Sequence, residues 1–165
     1  MRVVVVDDDP DILNFLRIFL VSMDAEAITY DRPDGAAALI RDETPDLVIL
    51  DLQMPGDPQA GLHILAELRN DPTTARIPVI LGSADGRKLR QLVAGMTLPR
   101  VHIVEKPFDM DVIEEAVARS SFAHYFRGRP GGRSKPVRGP FWRLRWALTL
   151  SALSARWASA WCSAQ

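Results

Sequence analysis

The fold of this chain is decided by the stretch Val3-Val4-Val5-Val6-Asp7-Asp8-Asp9-Pro10. Four consecutive β-branched residues predict a strand that is covered on both faces, as in a parallel sheet. The strand stops at three aspartates, and Asp9 followed by Pro10 predicts the capped first turn of a helix. A buried strand that leads directly into a helix is the repeating unit of an α/β protein.

The same alternation of strand and helix continues to about residue 120. The predicted strands are Val3–Val6, Glu26–Tyr30, Leu47–Leu50, Ile77–Leu81 and Val101–Val104. The first predicted helix follows Pro10, and the others cover Asp34–Arg41, Gly61–Asn70, Arg87–Ala94 and Met110–Arg119. Five strands that alternate with five helices predict an open, doubly wound parallel sheet of the α/β class.

The carboxyl ends of these strands collect residues that can carry chemistry. The working residues of an open parallel sheet gather at that edge, which here holds Asp7-Asp8, Asp51, Ser83 and Lys106. Converging carboxylates raise each other's pKa unless a cation joins them, and oxygen ligands favour Mg²⁺. A carboxylate can attack phosphorus while a lysine and a hydroxyl stabilise the transferring group. Each residue alone fits a turn, a helix cap or a loop, but together they indicate a phosphoryl site.

Residues 1 to about 120 resemble the receiver domain of two-component response regulators. The matching stretches are Val5–Pro10, Leu50–Gly56, Ser83-Ala84 and Glu105–Phe108, in the order and at about the spacing of that family. The resemblance implies a flavodoxin-like fold of five parallel strands and five helices. It also implies a cytoplasmic switch, not an enzyme, that receives a phosphoryl group from a histidine kinase or a histidine phosphotransfer protein and then changes its binding of a downstream protein.

The resemblance assigns the phosphoacceptor and a metal site. Asp51 corresponds to the phosphoacceptor and Asp8 to a direct ligand of Mg²⁺ or Mn²⁺. Asp7 is expected to act mainly through a metal-bound water, and Gln53 is expected to offer its backbone carbonyl.

The resemblance also assigns the residues that respond to the phosphoryl group. Ser83 corresponds to the switch hydroxyl, and Lys106 to the lysine that pairs with the phosphoryl group. The Lys106–Pro107 peptide bond is expected to be cis. Gln53 and Asp85 occupy the positions that tune how fast water removes the phosphoryl group.

Two features depart from the family pattern. Ile103 stands where the family usually has an aromatic switch residue, so an output that relies on a rotating aromatic ring is not expected. The segment Asp57–Gly61 is about two residues longer than the usual turn into the third helix, which we expect to affect access to Asp51 or partner fit. His63 and His102 lack metal-type spacing to another ligand residue, so we expect surface or structural roles for both.

The charge of the chain divides it into two parts. The 165 residues have a formal net charge of −1. Residues 1–120 contain 12 Lys/Arg and all 21 Asp/Glu, a charge of −9, whereas residues 121–165 contain 8 Lys/Arg and no acid, a charge of +8. The single cysteine excludes an internal disulfide framework, and the short apolar run at the N-terminus predicts no signal peptide. We therefore predict a receiver domain over 1–120 and a basic tail.

The basic tail is predicted to have two segments. Residues 121–140 are rich in Gly, Pro and Arg and predict a flexible linker. Its stretch 127–130 resembles the core of a DNA-binding AT-hook, but four residues of low complexity do not favour DNA binding. Residues 141–165 hold all four tryptophans and predict either an amphipathic helix that contacts a partner or a membrane surface, or a disordered tail.

Two functions remain open at this stage. The first is a phosphorelay receiver that accepts a phosphoryl group on Asp51 and switches partner binding. The alternative is a phosphorylation-independent scaffold or DNA-tethering protein that uses the receiver fold and the basic tail. The acid cluster and Lys106 favour the first, because a scaffold would not need them.

Overall fold

The computed structural model describes residues 1–127 of the chain, and the side chains of residues 1–118. The strands are Arg2–Val6 (β1), Glu26–Tyr30 (β2), Leu47–Asp51 (β3), Val79–Ser83 (β4) and Val101–Glu105 (β5). The helices are Pro10–Ser22 (α1), Ala36–Glu43 (α2), Ala60–Asn70 (α3), Gly86–Leu92 (α4) and Met110–Arg127 (α5). The strands form one parallel sheet in the order β2-β1-β3-β4-β5. The predicted flavodoxin-like fold is confirmed.

The sheet is covered by helices on both faces. The core on one face joins the sheet to α2, α3 and α4, and the core on the other face joins it to α1 and α5. Strands β3 and β4 are buried along their whole length, and β1 is buried from Val3 onward. The edge strands β2 and β5 are partly exposed. Continuous apolar runs therefore mark the three central strands, as expected for a sheet packed on both faces.

Local backbone chemistry explains where the elements begin. At the start of α1, the side chain of Asp9 accepts hydrogen bonds from the N–H groups of Asp11 and Ile12, so the predicted cap is confirmed. Helix α2 begins at Ala36, two residues later than predicted, because Gly35 adopts φ 81° at its N-cap. Strand β4 also begins two residues later than predicted, because Pro78 has no N–H to donate.

The prediction that the last helix ends at Arg119 is wrong. Helix α5 continues to Arg127, because the first residue that disfavours a helix after Met110 is Gly128. The predicted linker over 121–140 thus begins inside a helix. The rest of that linker and the tryptophan-rich segment 141–165 lie outside the described residues. Within residues 1–127, no helix is both long and apolar enough to span a bilayer.

Candidate functional site

Three aspartates converge at the carboxyl edge of the sheet. Asp7 follows β1, Asp8 comes next, and Asp51 is the last residue of β3, the strand that pairs with β1. One carboxylate oxygen from each lies within 4.8 Å of the other two. Asp7 and Asp51 are only 1% and 5% exposed, whereas Asp8 is open to solvent. The pocket is therefore a buried pair of carboxylates with one accessible acid at its mouth.

Lys106 joins the two buried carboxylates. Its Nζ atom donates to Asp7 Oδ2 at 2.7 Å and lies 2.8 Å from Asp51 Oδ1. Lys106 follows β5, and its backbone N–H donates to the carbonyl of Ser83 at 2.8 Å, which fixes its position beside the end of β4. The Lys106–Pro107 peptide bond is cis. The fold thus brings a cation to the acid pocket from a strand that is not adjacent to β3.

The charges in the pocket depend on one another. Burial raises the pKa of both Asp7 and Asp51 above the ordinary aspartate value, although the hydrogen bonds and charge of Lys106 act in the opposite direction. Burial alone would lower the pKa of Lys106, but its hydrogen bonds to Asp51 and Asp7 outweigh that effect and raise it. Lys106 therefore stays protonated and only partly offsets the cost of burying two carboxylates.

This residual cost makes the pocket a suitable cation site. The available ligands are carboxylate oxygens from Asp7, Asp8 and Asp51, a donor set that hard divalent cations prefer. A divalent cation at this position would stabilise the ionised form of the two buried carboxylates, which Lys106 alone does only in part. The residues present therefore fit Mg²⁺.

Ser83 and Asp85 lie beside the pocket but contact each other. Ser83 is buried at the end of β4, and its hydroxyl oxygen accepts from the N–H of Asp85 at 3.1 Å and donates to the Asp85 carbonyl at 3.3 Å. Asp85 is exposed and caps α4, because its Oδ1 accepts from the N–H of Lys88 at 2.8 Å. In this arrangement, the Ser83 hydroxyl is held by the backbone at the start of α4.

Gln53 lies beside Asp51, whereas Ile103 lies within β5. The N–H of Gln53 donates to Asp51 Oδ2 at 3.2 Å, and the Gln53 side chain is exposed. Ile103, in the middle of β5, is partly buried against the core that includes α2, α3 and α4. The structure therefore places the Gln53 backbone beside Asp51 and Ile103 inside a strand, packed against the core.

Two glycines that shape the pocket had no role in the sequence prediction. A Cβ atom at Gly82, inside β4, would lie 2.7 Å from the ring of Phe108. A Cβ atom at Gly61, in the first turn of α3, would lie 2.9 Å from Leu52 Cα and closer still to the carbonyl oxygen of Asp51. A glycine inside a buried strand or helix is the available signal, because it marks close approach of another group.

Comparison with known proteins agrees with this geometry. The family model of the response regulator receiver domain matches residues 3–118. The phosphate regulon transcriptional regulatory protein PhoB of Pseudomonas aeruginosa is 29% identical over 135 residues, covering 82% of this chain and 56% of PhoB. The response regulator PleD of Caulobacter vibrioides is 37% identical over 121 residues, covering 72% of this chain and 25% of PleD. The chain thus spans about half the length of PhoB and a quarter of PleD.

A solved structure shows the same fold. The response regulator protein TrrA from Thermotoga maritima, in complex with Mg(2+)-BeF, is 29% identical with a TM-score of 0.60, and the match covers 72% of this chain and 97% of TrrA. The family match extends over most of the chain and includes β1 from Val3 onward, the other four strands and the whole acid pocket. This chain belongs to the response regulator receiver domain family.

Proposed function

We propose that this chain is a phosphorelay receiver and that Asp51 is its phosphoacceptor. The observation that carries the proposal is the position of Asp51. It lies at the end of a central strand, buried, within the aspartate cluster and 2.8 Å from a lysine ammonium. A carboxylate in that setting has both a neighbouring cation site and a fixed positive charge for the incoming phosphoryl group.

The proposed reaction transfers a phosphoryl group from a histidine of a kinase or phosphotransfer protein. An oxygen of Asp51 attacks phosphorus, and the P–O bond forms as the P–N bond breaks. The electron pair of the P–N bond stays on the imidazole nitrogen, which takes up a proton from water. Asp51 must be ionised to attack, and Lys106 favours that form although burial opposes it. After transfer, Lys106 is placed to pair with a phosphoryl oxygen, because its Nζ already contacts Asp51 Oδ1.

Four groups would hold Mg²⁺ or Mn²⁺ in this proposal. They are the carboxylates of Asp8 and Asp51, Asp7 through a metal-bound water, and the backbone carbonyl of Gln53. The ion would supply positive charge that neutralises the phosphoryl oxygens. The complex of TrrA with Mg(2+)-BeF supports this assignment, because that protein has the same fold.

The proposed output is a change of binding surface, not catalytic turnover. Ser83 would turn its hydroxyl from Asp85 toward the phosphoryl group, and the face formed by α4, β5 and α5 would then bind a downstream protein. Gln53 and Asp85 would tune the rate at which water removes the phosphoryl group. Both are exposed beside the pocket, which supports that role. We place this activity in the cytoplasm.

The proposed function involves the receiver domain and leaves the basic tail as a separate segment. We propose a receiver domain over residues 1–120, whose last helix α5 extends to Arg127, followed by the basic tail as the candidate for contact with a partner or a membrane surface. The scaffold or DNA-tethering alternative is not favoured. Asp7 and Asp51 are buried, and Lys106 contacts both of their carboxylates. Burying these charges without a phosphoryl or metal function would only destabilise the fold.

Acetyl phosphate and Mg²⁺ test the phosphoacceptor assignment. We expect the full chain to gain one phosphoryl group by intact-mass measurement, and Asp51→Asn to gain none. Asp31→Asn is the matched control, because it removes an exposed aspartate beyond the pocket. EDTA should prevent the gain. A gain that persists in Asp51→Asn would refute the site, and no gain in the wild-type chain would refute the proposed function.

A further inference from the structure

Lys106 reaches Asp51 across a strand that lies between them. In the sheet, β4 separates β3, which ends at Asp51, from β5, which Lys106 follows. Gly82 of β4 is in register with Asp51. Paired residues of neighbouring strands direct their side chains to the same face of a sheet, so position 82 is the place beside the Asp51 carboxylate on that face. Because residue 82 is glycine, this place is open to other side chains.

Two side chains fill the space over Gly82. A Cβ atom there would lie 2.7 and 2.8 Å from the Cε1 and Cζ atoms of Phe108, and 3.6 Å from Cε of Lys106. A glycine inside a strand often marks such a close approach. The stem of Lys106 therefore passes over β4 next to the ring of Phe108, and a larger residue at position 82 would displace that ring.

The ring of Phe108 is anchored on the core and faces the ammonium of Lys106. It packs against the core on the face of α1 and α5, which includes Ile80, two residues before Gly82 on the same strand. Its centroid lies 5.7 Å from Lys106 Nζ, within the distance of about 6 Å at which a cation is attracted to an aromatic face. The Lys106 side chain is only 14% exposed, so solvent screens this attraction only in part.

The two carboxylates hold only the tip of Lys106. Its Nζ atom lies 2.7 Å from an oxygen of Asp7 and 2.8 Å from an oxygen of Asp51, but the four-carbon stem behind it has many rotamers. A divalent cation in the pocket would also compete with the ammonium for the same oxygens. The ring of Phe108 acts on Lys106 independently of these oxygens, whatever the pocket contains.

We infer that Phe108 is a positioning residue that, together with Gly82, confines Lys106 to the side of Asp51 and thereby speeds phosphorylation of Asp51. The effect on phosphorylation rests on the proposed function, whereas the confinement of Lys106 does not. Phe108 acts through Lys106, because its ring attracts the ammonium and offers no donor to a phosphoryl oxygen. A leucine or a methionine at this position keeps apolar packing but has no aromatic face for the ammonium.

Carbon-13 relaxation of the full chain, with Mg²⁺ and without a phosphodonor, tests the confinement. In the wild-type chain, we expect the order parameter of the Lys106 Cε–H bonds to exceed that of the exposed Lys88. In Phe108→Leu it should fall toward the Lys88 value, and equally in Phe108→Met, which carries the comparison if Phe108→Leu does not fold. Phe19→Leu is the matched control and should leave the Lys106 value unchanged. Phe19 packs against the same core but lies in the last turn of α1, whereas the pocket lies at the start of that helix.

The rate of phosphoryl gain from acetyl phosphate and Mg²⁺ tests the effect on phosphorylation. We expect Phe108→Leu and Phe108→Met to be labelled about threefold to tenfold more slowly than the wild-type chain, the range that a partly desolvated cation–π contact supports. Phe19→Leu should be labelled at the wild-type rate, although it loses a ring from the same core. A general loss of core packing would instead slow the variants at both positions alike.

The outcomes separate the confinement from the effect on rate. An order parameter of Lys106 that is the same in the wild-type chain and in the Phe108 variants would overturn the confinement. A mobile Lys106 in variants that are labelled as fast as Phe19→Leu would overturn the effect on phosphorylation and leave the proposed function intact. A wild-type chain that gains no phosphoryl group would overturn the proposed function and the rate effect with it, and the relaxation measurement would still decide whether Phe108 confines Lys106.

Discussion

Gly61→Ala should disturb the phosphoacceptor through the backbone alone. The added Cβ would lie 2.9 Å from both Leu52 Cα and Leu81 Cδ1, where ordinary van der Waals contact begins at 3.4 Å. The start of α3 must therefore retreat by at least about 0.5 Å, and by more along the line to the carbonyl oxygen of Asp51. This movement also strains the hydrogen bond from the N–H of Gly61 to the carbonyl of Leu52, at 3.1 Å.

Two opposing effects set the expected magnitude. Alanine is favoured over glycine in a helix by about 0.5–1 kcal/mol. Forcing a methyl group into a packed site costs about 1–3 kcal/mol. Because two of the three contacted atoms belong to the backbone and cannot easily move, the cost lies in the upper part of its range, and we expect a net loss of about 1–2 kcal/mol in the free energy of unfolding. Because a misplacement of 1 Å can reduce the rate of a positioned reaction by about 100-fold, a half-ångström shift beside Asp51 should slow phosphorylation by about tenfold.

Urea unfolding and acetyl phosphate labelling measure the two effects. Ala66→Gly is the matched control, because Ala66 is exposed on the same helix and its replacement costs about 0.5–1 kcal/mol of helix stability without a clash. That control should be destabilised but labelled at the wild-type rate. The reasoning is refuted if Gly61→Ala is as stable as the wild-type chain, or if Ala66→Gly slows labelling as much as Gly61→Ala does.

Three further substitutions test the electrostatics of the fold. Lys106→Met leaves two buried carboxylates without their cation. Urea unfolding without Mg²⁺ should therefore show a free energy of unfolding lower by about 3 kcal/mol, and Mg²⁺ should restore part of it. An unchanged unfolding midpoint would contradict the role of Lys106 as a bridge between the two carboxylates. In the same assay, Arg69→Met should be neutral or stabilising by about 1 kcal/mol. The Nε and Nη1 atoms of Arg69 are buried without a hydrogen-bond partner among the described residues, and burial lowers the pKa of its guanidinium. A clear loss of stability would contradict this expectation. Hydrogen bonds from Thr73 and Arg41 lower the pKa of Asp71 to about 2, so its stabilising effect should be present above about pH 4 and disappear as pH falls toward 2. The melting temperatures of Asp71→Asn and the wild-type chain should therefore differ at pH 7 and converge near pH 2; a difference that persists at pH 2 would contradict the assignment.

The sheet and the pocket could be predicted because their signals are local in the sequence. A run such as Val3–Val6 specifies a strand covered on both faces, and parallel strands place their carboxyl ends at one edge. Asp7, Asp51 and Lys106 are therefore expected at the same edge of the sheet once the strands are recognised. The order of the strands does not follow from this alternation, because right-handed crossovers allow more than one order.

Other features depend on contacts that residue types do not encode. The bridging position of Lys106 between two carboxylates requires the register of strands that are distant in sequence. The predicted end of α5 is wrong because composition changes near residue 120, whereas no glycine or proline occurs between Met110 and Arg127. His63 offered no spacing to a second ligand, and its contact with Asp57 arises only because the inserted residues fold back onto α3.

Because position 103 is not aromatic, helix α4 is the element that can link the pocket to the surface. Ile103 lies within β5, paired in register with Leu81, and is held by the core. Ser83, by contrast, makes both of its hydroxyl contacts with the backbone of Asp85, the residue that caps α4. If the hydroxyl turns toward a phosphoryl group on Asp51, as proposed, both contacts break, and Asp85, the residue that caps α4, loses its two backbone hydrogen bonds to Ser83. A hydrogen-bonded route to the surface therefore exists without a rotating aromatic ring.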